Sequence, residues 1–465
     1  MSTAGTATTA PAQGAGVRAG VTRVEAKPLL AVLLFAGLAG LTAALVLRGS
    51  GLSLYGALLL PLLVLKLVLS LVPRPEHPDN DLRVGVVVTV YNEDAELLRQ
   101  CLDSLRDQDR RPHRVVVVDD ASTDPGAREL ARSAPGVELL VHPENRGKRE
   151  ALATGFRALE GTVDVYACID SDARLEPQSL REGMRPFSNP RTEAVTGMVI
   201  PSNHDRNLLT RLVDVRYVNA FLIERGAYST LGSVLCVCGV LALYRADMVH
   251  RNLAGFLTQR FLGAPAVVGD DRHLTNRALL TGEAVLAAQA VAHTAVPENV
   301  SHYLRQQARW GRSFFRESLW SLRHHTPRRA AWWLSLLELA QWVVFTSMLA
   351  WVLVVHPLVS GQMVLLDYLI FVAAMSLVRS VRYFDVVRPD QRLRSRLLTF
   401  AVTPLFGLLN LFVMIPMRAW SLVTLRRSAW GTRSRIEVTA EPVPAVVRPA
   451  EAPLPRRAPA AVPMP

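Results

Sequence analysis

Four acidic clusters stand at or just after short apolar runs. VVVTVYNED ends in Tyr91, Asn92, Glu93 and Asp94, VVVVDDASTD carries Asp119 and Asp120, YACIDSDAR carries Asp170 and Asp172, and VVGDDRHLTN carries Asp270 and Asp271. A single Asp at such a place is usually a helix cap or a turn residue. Carboxylates gathered at one place repel and need a cation or a proton to coexist. The Asp-Ser-Asp spacing of Asp170 and Asp172 suits a hard divalent ion that also takes diphosphate oxygens. Lys148, in NRGKRE, opens a helical pattern, where a cation and free N–H groups attract phosphate. Gln306, Arg309 and Trp310 form a Q-x-x-R-W run. On a helix, 306 and 310 share a face with 309 beside them, and Arg309 can bind diphosphate bidentately.

The elements that must position these groups lie between residue 80 and about 300. Val84–Val90 reads as a buried strand, Ala95–Arg106 as a helix and Arg114–Val118 as a strand followed by a helix to about Ser133. Val137–Val141 is a third strand, Lys148–Leu159 a helix and Val163–Ile169 a fourth strand. This βαβ alternation predicts a largely parallel α/β sheet with helices on both faces. Ligands of such sheets bind beyond the carboxyl ends of the strands, where the acidic clusters fall.

Around this domain the chain is membrane-like. Of 465 residues half are hydrophobic, and the mean hydropathy is +0.21. Residues 1–27 are Ala, Thr and Gly rich and read as a disordered tail. Leu29–Leu47 and Leu52–Val72 are apolar apart from Lys66, and each is long enough to cross a hydrocarbon core of roughly 30 Å. Basic residues flank the pair, so 28–73 reads as a hairpin with both ends cytoplasmic. Residues 301–330 carry Phe314, Phe315 and Trp320 among many arginines, which suits an interfacial amphipathic helix, and Asp205–Arg225 is a second candidate. From 331 to 426 the membrane returns with Trp333–Val355, Met363–Val378 and Leu397–Leu425, the last with Pro404 and Pro416 inside it. Arginines on both sides of Leu397–Leu425 require a broken or hairpin-like pair, for three to four C-terminal helices in all. Residues 427–465 are basic, then Pro and Ala rich. Four cysteines exclude a disulfide-stapled secreted fold. Cys236 and Cys238 alternate as on a strand, and the cytosol disfavours a disulfide between them. The net charge of +12 would also suit a nucleic-acid binder, but the carboxylates would repel a phosphate backbone.

Taken in order, VVVTVYNED, VVVVDDASTD, NRGKREAL, DSDA, GDDRHLTN and QQARW resemble the processive family-two membrane glycosyltransferases with a GT-A, Rossmann-like fold. GDDRHLTN followed by SHYLRQQARWGRSFFRES, and WGTR at 430–433, are similar to hyaluronan synthases. The resemblance spans roughly residues 29–436 and implies an inverting polymerase at the plasma membrane. It would use UDP-GlcNAc and UDP-GlcA, a growing polysaccharide acceptor, Mg²⁺ or Mn²⁺, and no nucleic acid. It assigns Asp119 and Asp120 to uracil and ribose, Tyr91 and Glu93 to the nucleotide end, Asp170 to sugar or ribose and Asp172 to the metal. Lys148 and Arg309 fall to the diphosphate. Asp271 becomes the general base, with Asp270 orienting Arg272 or the base, and Trp310 becomes a stacking platform for the acceptor sugar beside Gln306. Trp430 and Arg433 would close over the nucleotide. One departure stands out: hyaluronan synthases usually show Cys-Ser-Gly-Pro-Leu near the acceptor. Here VLCVCGVLALYR puts Cys238 on the serine, as in chito-oligosaccharide synthases using UDP-GlcNAc alone.

Overall fold

In a computed structural model of the protein, the described residues are 21–47, 53–361 and 365–427. Trp430, Arg433 and both chain tails lie outside them.

Val84–Val90 (β1), Arg114–Asp119 (β2), Val137–Val141 (β3) and Val165–Asp170 (β4) run parallel in the order β3-β2-β1-β4. Valine-rich strands such as VGVVVTV are almost wholly apolar because helices cover both faces. The Lys148–Ala158 helix presses so closely on β1 that a Cβ on Gly155 would lie 2.4 Å from Val87, which fixes Lys148 at the sheet edge. The rest of the sheet is mixed, where a largely parallel one was expected. Arg174–Leu175 (β5), Thr192–Pro201 (β6), Leu241–Arg245 (β7) and Glu283–Thr294 (β8) extend it as β4-β7-β6-β8-β5, with β7 antiparallel to both its neighbours. Cys236 and Cys238 precede β7 in a loop, not on a strand, and both are free thiols.

The apolar segments form helices at Pro28–Leu47, Ser53–Leu71, Ala330–Ala350 (continuing to Ser360 through a π turn) and Leu365–Arg379. Among the described residues, two helical runs are long and apolar enough to span a bilayer, Ala330–Ser360 and Leu393–Val423. Of the broken or hairpin-like pair expected within Leu397–Leu425, the break is present and the hairpin is not. Leu393–Val423 is one helical run, interrupted at Val402 and widened into a π turn at Asn410–Met414. It keeps touching the sheet-bearing half and its flanking helices along its length. Arg211 donates to Ser395 and Thr399, Tyr303 reaches the Met414 sulfur, and Ser421 donates to the Ala308 carbonyl. The proline at 404 sits in a first helical turn, where its missing N–H costs nothing, so it does not reverse the chain.

The expectation of disorder up to residue 27 is also corrected. Arg23–Val24 pairs with Val386–Val387, the Thr22 amide donates to Glu176, and Lys27 is tied to Phe384 and Asp385. Beside this ribbon, Arg388 and Asp214 form a fully buried ion pair at 2.7 Å, and Tyr383 donates to the same carboxylate. These contacts join the loop after Leu365–Arg379 to the Leu208–Val218 helix.

Candidate active site

A cavity of about 1050 Å³ opens at the carboxyl ends of β1 and β4. Every described candidate residue except Asp119 lines it: Tyr91, Glu93, Asp120, Lys148, Asp170, Asp172, Cys238, Asp270, Asp271, Gln306, Arg309 and Trp310. The same cavity continues between the apolar helices, past Leu59, Phe345, Tyr368, Phe371 and Phe406.

The loops after β1 and β2 are tied together. Asn92, at φ 48°, accepts from the Thr123 amide at 2.8 Å, and its own amide donates to Ser122. Glu93 accepts from Ser171 at 2.8 Å, which joins the first loop to the Asp-Ser-Asp turn. Asp94 is a helix cap, accepting from Glu96 and Leu97 amides. Asp119 is not a site-lining group in this structure. It is fully buried, its carboxylate held by Arg128 and the Ser122 amide. Asp120 faces the cavity but accepts from the Arg146 and Gly147 amides and sits 2.7 Å from His142. Those two amides, just ahead of the Lys148 helix, are therefore occupied.

Lys148 bridges two acidic clusters, 2.5 Å from Asp170 and 3.8 Å from Asp270. Burial alone would lower its pKa, but Asp170, Asp270 and Asp271 together hold it well above the lysine value, so it stays charged. Asp172 accepts from Thr294 at 3.0 Å, at the end of β8. Among the described residues no three His, Cys, Asp or Glu side chains gather as a metal cage. Magnesium-type sites commonly take one or two carboxylates and complete their shell with water and substrate phosphates. Asp172 beside Asp170 fits that pattern.

Asp270 and Asp271 begin the Asp270–Ala278 helix. Asp271 accepts from the Arg272 amide at 2.7 Å and lies 3.6 Å from the Cys236 sulfur. Burial and then the neighbouring Asp270 charge raise its pKa above the ordinary carboxylate value. Burial pushes the Cys236 thiol up to about 12, so it is a neutral donor there. Trp310 is 38% exposed on the cavity side of the Val300–His324 helix, its ring 6.4 Å from Tyr217 and under the Arg216 guanidinium. Tyr217, Arg216, Thr294 and Cys236 were not anticipated as lining residues. Thr294 ends a strand that the sequence pattern did not reveal, and Tyr217 could have been found as an aromatic on a candidate interfacial helix.

The family model of glycosyl transferase family 2 matches residues 85–253. Hyaluronan synthase of Streptococcus pyogenes is 35% identical over 406 residues, covering 84% of this chain and 92% of the relative. An N-acetylglucosaminyltransferase of Mesorhizobium japonicum is 34% identical over 362 residues, covering 76% and 82%. A solved mannosyltransferase from Pyrobaculum calidifontis, in complex with GDP-Man and Mn²⁺, superposes with a TM-score of 0.52 at 22% identity, over 83% of this chain and 98% of its own. That likeness concerns the GT-A fold alone.

Proposed function

Because this chain belongs to the family-two glycosyltransferases that include the hyaluronan synthases, we propose that it polymerises GlcNAc and GlcA alternately from UDP-sugars and passes the polymer through the membrane. The observation that carries this reading is the single cavity running from the strand-end carboxylates, past Trp310, to the apolar helices. A transferase that modified a soluble acceptor would have no use for that continuation.

The chemistry follows from the residues. Asp271 takes the proton from the acceptor hydroxyl as its oxygen attacks the anomeric carbon and the bond to UDP breaks. Its raised pKa makes it a stronger base than an exposed aspartate. Asp270 and Lys148 fix the surrounding charge. Lys148 and Arg309 face the diphosphate, and Tyr91, Glu93 and Asp120 the nucleoside end. Asp170 faces the sugar. Asp172 would hold Mg²⁺ or Mn²⁺, which when bound neutralises charge on the leaving diphosphate. Trp310 supports the terminal acceptor sugar, with Gln306 and Cys238 nearby. Trp430 and Arg433 close over the nucleotide from the C-terminal tail in this reading. The catalytic domain faces the cytoplasm and the apolar helices cross the plasma membrane.

A second reading, a chitin-like or chito-oligosaccharide synthase, is favoured by Cys238 standing where hyaluronan synthases carry serine and by the N-acetylglucosaminyltransferase relatives. Product analysis separates the two. Purified protein is supplied with UDP-GlcNAc and UDP-GlcA, singly and together. Polymer that needs both donors and is cut by hyaluronidase supports the first reading; polymer of equal size from UDP-GlcNAc alone that resists the enzyme supports the second.

A further inference from the structure

Behind Asp271 lies a buried polar cluster that the reaction itself does not use. Gly269, immediately ahead of the acidic pair, adopts φ +83°, and a Cβ there would fall 2.1 Å from the Ser313 hydroxyl. Arg316 donates to the Val268 carbonyl. Ser313 and Arg316 belong to the Val300–His324 helix, the one that carries Trp310. One turn into the Asp271 helix, His273 Nδ1 is 2.9 Å from Glu317 Oε2, and Asn276 donates to the Glu317 carbonyl at 3.0 Å. Gln259 donates to Glu317 Oε1 at 2.8 Å, and its own amide oxygen accepts from Arg149, the residue after Lys148, at 2.8 Å. His273 and Glu317 are buried to 0% and 1% exposure.

The bonds have a direction. Arg277 Nε donates to His273 Nε2 at 3.3 Å, which assigns the ring proton to Nδ1, facing Glu317. Glu317 is thus the common acceptor of His273 and Gln259, and Arg316 Nε lies 3.5 Å from it. Burial disfavours its charge, but the His273 and Gln259 hydrogen bonds and the nearby cations hold its pKa below the usual value. Burial lowers the His273 pKa, so the imidazole serves as a neutral donor. An acceptor-only carboxylate satisfies this set, whereas an amide of the same size would turn a donor against a donor.

We infer that Glu317 is a positioning residue, with His273 as its counterpart, that locks the helix presenting Asp271 to the helix presenting Trp310. Trp310 and Glu317 are seven residues apart, two turns along nearly the same helix face. Base and acceptor platform are then parts of one rigid unit. The inference rests on the reading of Asp271 as base and Trp310 as platform. Misplacing a reacting group by about 1 Å costs on the order of a hundredfold in rate.

The test is the ratio of two outcomes of donor cleavage in purified full-length protein. In polymerisation the anomeric carbon exchanges its bond to UDP for one to the acceptor oxygen; in hydrolysis it takes a water oxygen instead, and the water proton is released. Glu317→Gln should lower polymer turnover about tenfold or more by the misplacement argument. It should raise the hydrolysis-to-polymer ratio at least about threefold, with UDP affinity unchanged within about twofold, as expected when positioning and not donor binding is lost. His273→Leu should move the ratio the same way and carries the test if Glu317→Gln is not recovered folded. Phe187→Leu, in the core away from the cavity, should lower the melting temperature without moving the ratio. A lower rate at an unchanged ratio in Glu317→Gln or His273→Leu would make the cluster merely structural and overturn the inference, as would normal polymer turnover. Normal turnover in Asp271→Asn is a different result and removes the base assignment instead.

Discussion

Asp271→Asn isolates one function of a residue whose packing it leaves in place. The side chain keeps its size, and its amide oxygen can still accept from the Arg272 amide, now at 2.7 Å. The Cys236 sulfur, 3.6 Å from the other oxygen, is a weak donor whose loss matters little, so stability should change by about 1 kcal/mol or less. What is lost is the ability to take the acceptor proton. General-base catalysis contributes about 10²–10⁴ in rate, or roughly 2.7–5.5 kcal/mol of barrier. The raised pKa of Asp271 acts in the same direction, because a stronger base takes the proton more readily. The proposed nucleoside contacts are at Tyr91 and Asp120, on the other strand ends, so UDP affinity should stay within about threefold, consistent with loss of an interaction made only in the transition state. The assay pairs initial rates of UDP release, in the presence of both donors, with calorimetric UDP binding. Turnover within about fivefold of the unaltered protein, too small for loss of a general base, would refute the reasoning and move the role to Asp270.

The pH profile should follow the same residue. Asp271 must be ionised to act, and burial plus the Asp270 charge raise its pKa, so the rate falls with acid at a pH above the ordinary carboxylate value of about 4. Asp270→Asn removes the like charge and should move that limb to lower pH; a limb that stays put or rises contradicts the assignment. Asp172→Asn should abolish the strengthening of UDP binding by Mn²⁺ in calorimetry, and an unchanged metal effect would exclude Asp172 as the ligand. Trp310→Ala should cut polymer formation far more than UDP affinity, with a stacking loss of about 0.5–1.5 kcal/mol by analogy with aromatic pairs; equal losses in both would count against a platform. Arg388→Ala leaves Asp214 charged and buried, which should destabilise by about 3–5 kcal/mol, read as a lower thermal midpoint in detergent; an unchanged midpoint would mean that the pair contributes nothing.

The first half of the sheet was legible residue by residue because Val84–Val90 and Val137–Val141 are β-rich runs, apolar but for Thr89 and Glu138, bounded by polar turns. The second half was not, since LALYR follows a glycine turn with no helical pattern directly before it to mark a βαβ unit, and Glu283–Thr294 is rich in alanine, which favours no strand. At the site, chemistry-bearing types at strand ends were sufficient to gather the cavity-lining set. They could not separate Asp119 from Asp120, because neighbours on a strand end point to opposite sides, and only the placement of Arg128 decides which is sequestered. Leu393–Val423 misled for a related reason. Hydropathy reports what a helix avoids, not which direction it runs, and a run apolar enough to span can also lie against a protein face.

The N-terminal ribbon at Arg23–Val24 has a consequence for parity. Residues 22–27 touch Glu176, Asp385 and the 386–387 strand, and Arg74, just past the second helix, donates to the Leu286 carbonyl. Two stretches of chain that grip the same domain sit on the same side of any bilayer, so the chain between them can cross only an even number of times. In the proposed membrane arrangement Pro28–Leu71 goes out and back, as does Ala330–Arg379, whose ends are likewise tied down by Arg329 on the Thr281 carbonyl and by Arg379 on Glu224. In the same arrangement Leu393–Val423, held at Ser395 and again at Ser421, makes no net crossing. Cysteines introduced at the exposed Asp390 and Arg427 should then both escape an impermeant thiol reagent in intact cells and react after lysis. Labelling of one but not the other would break the parity.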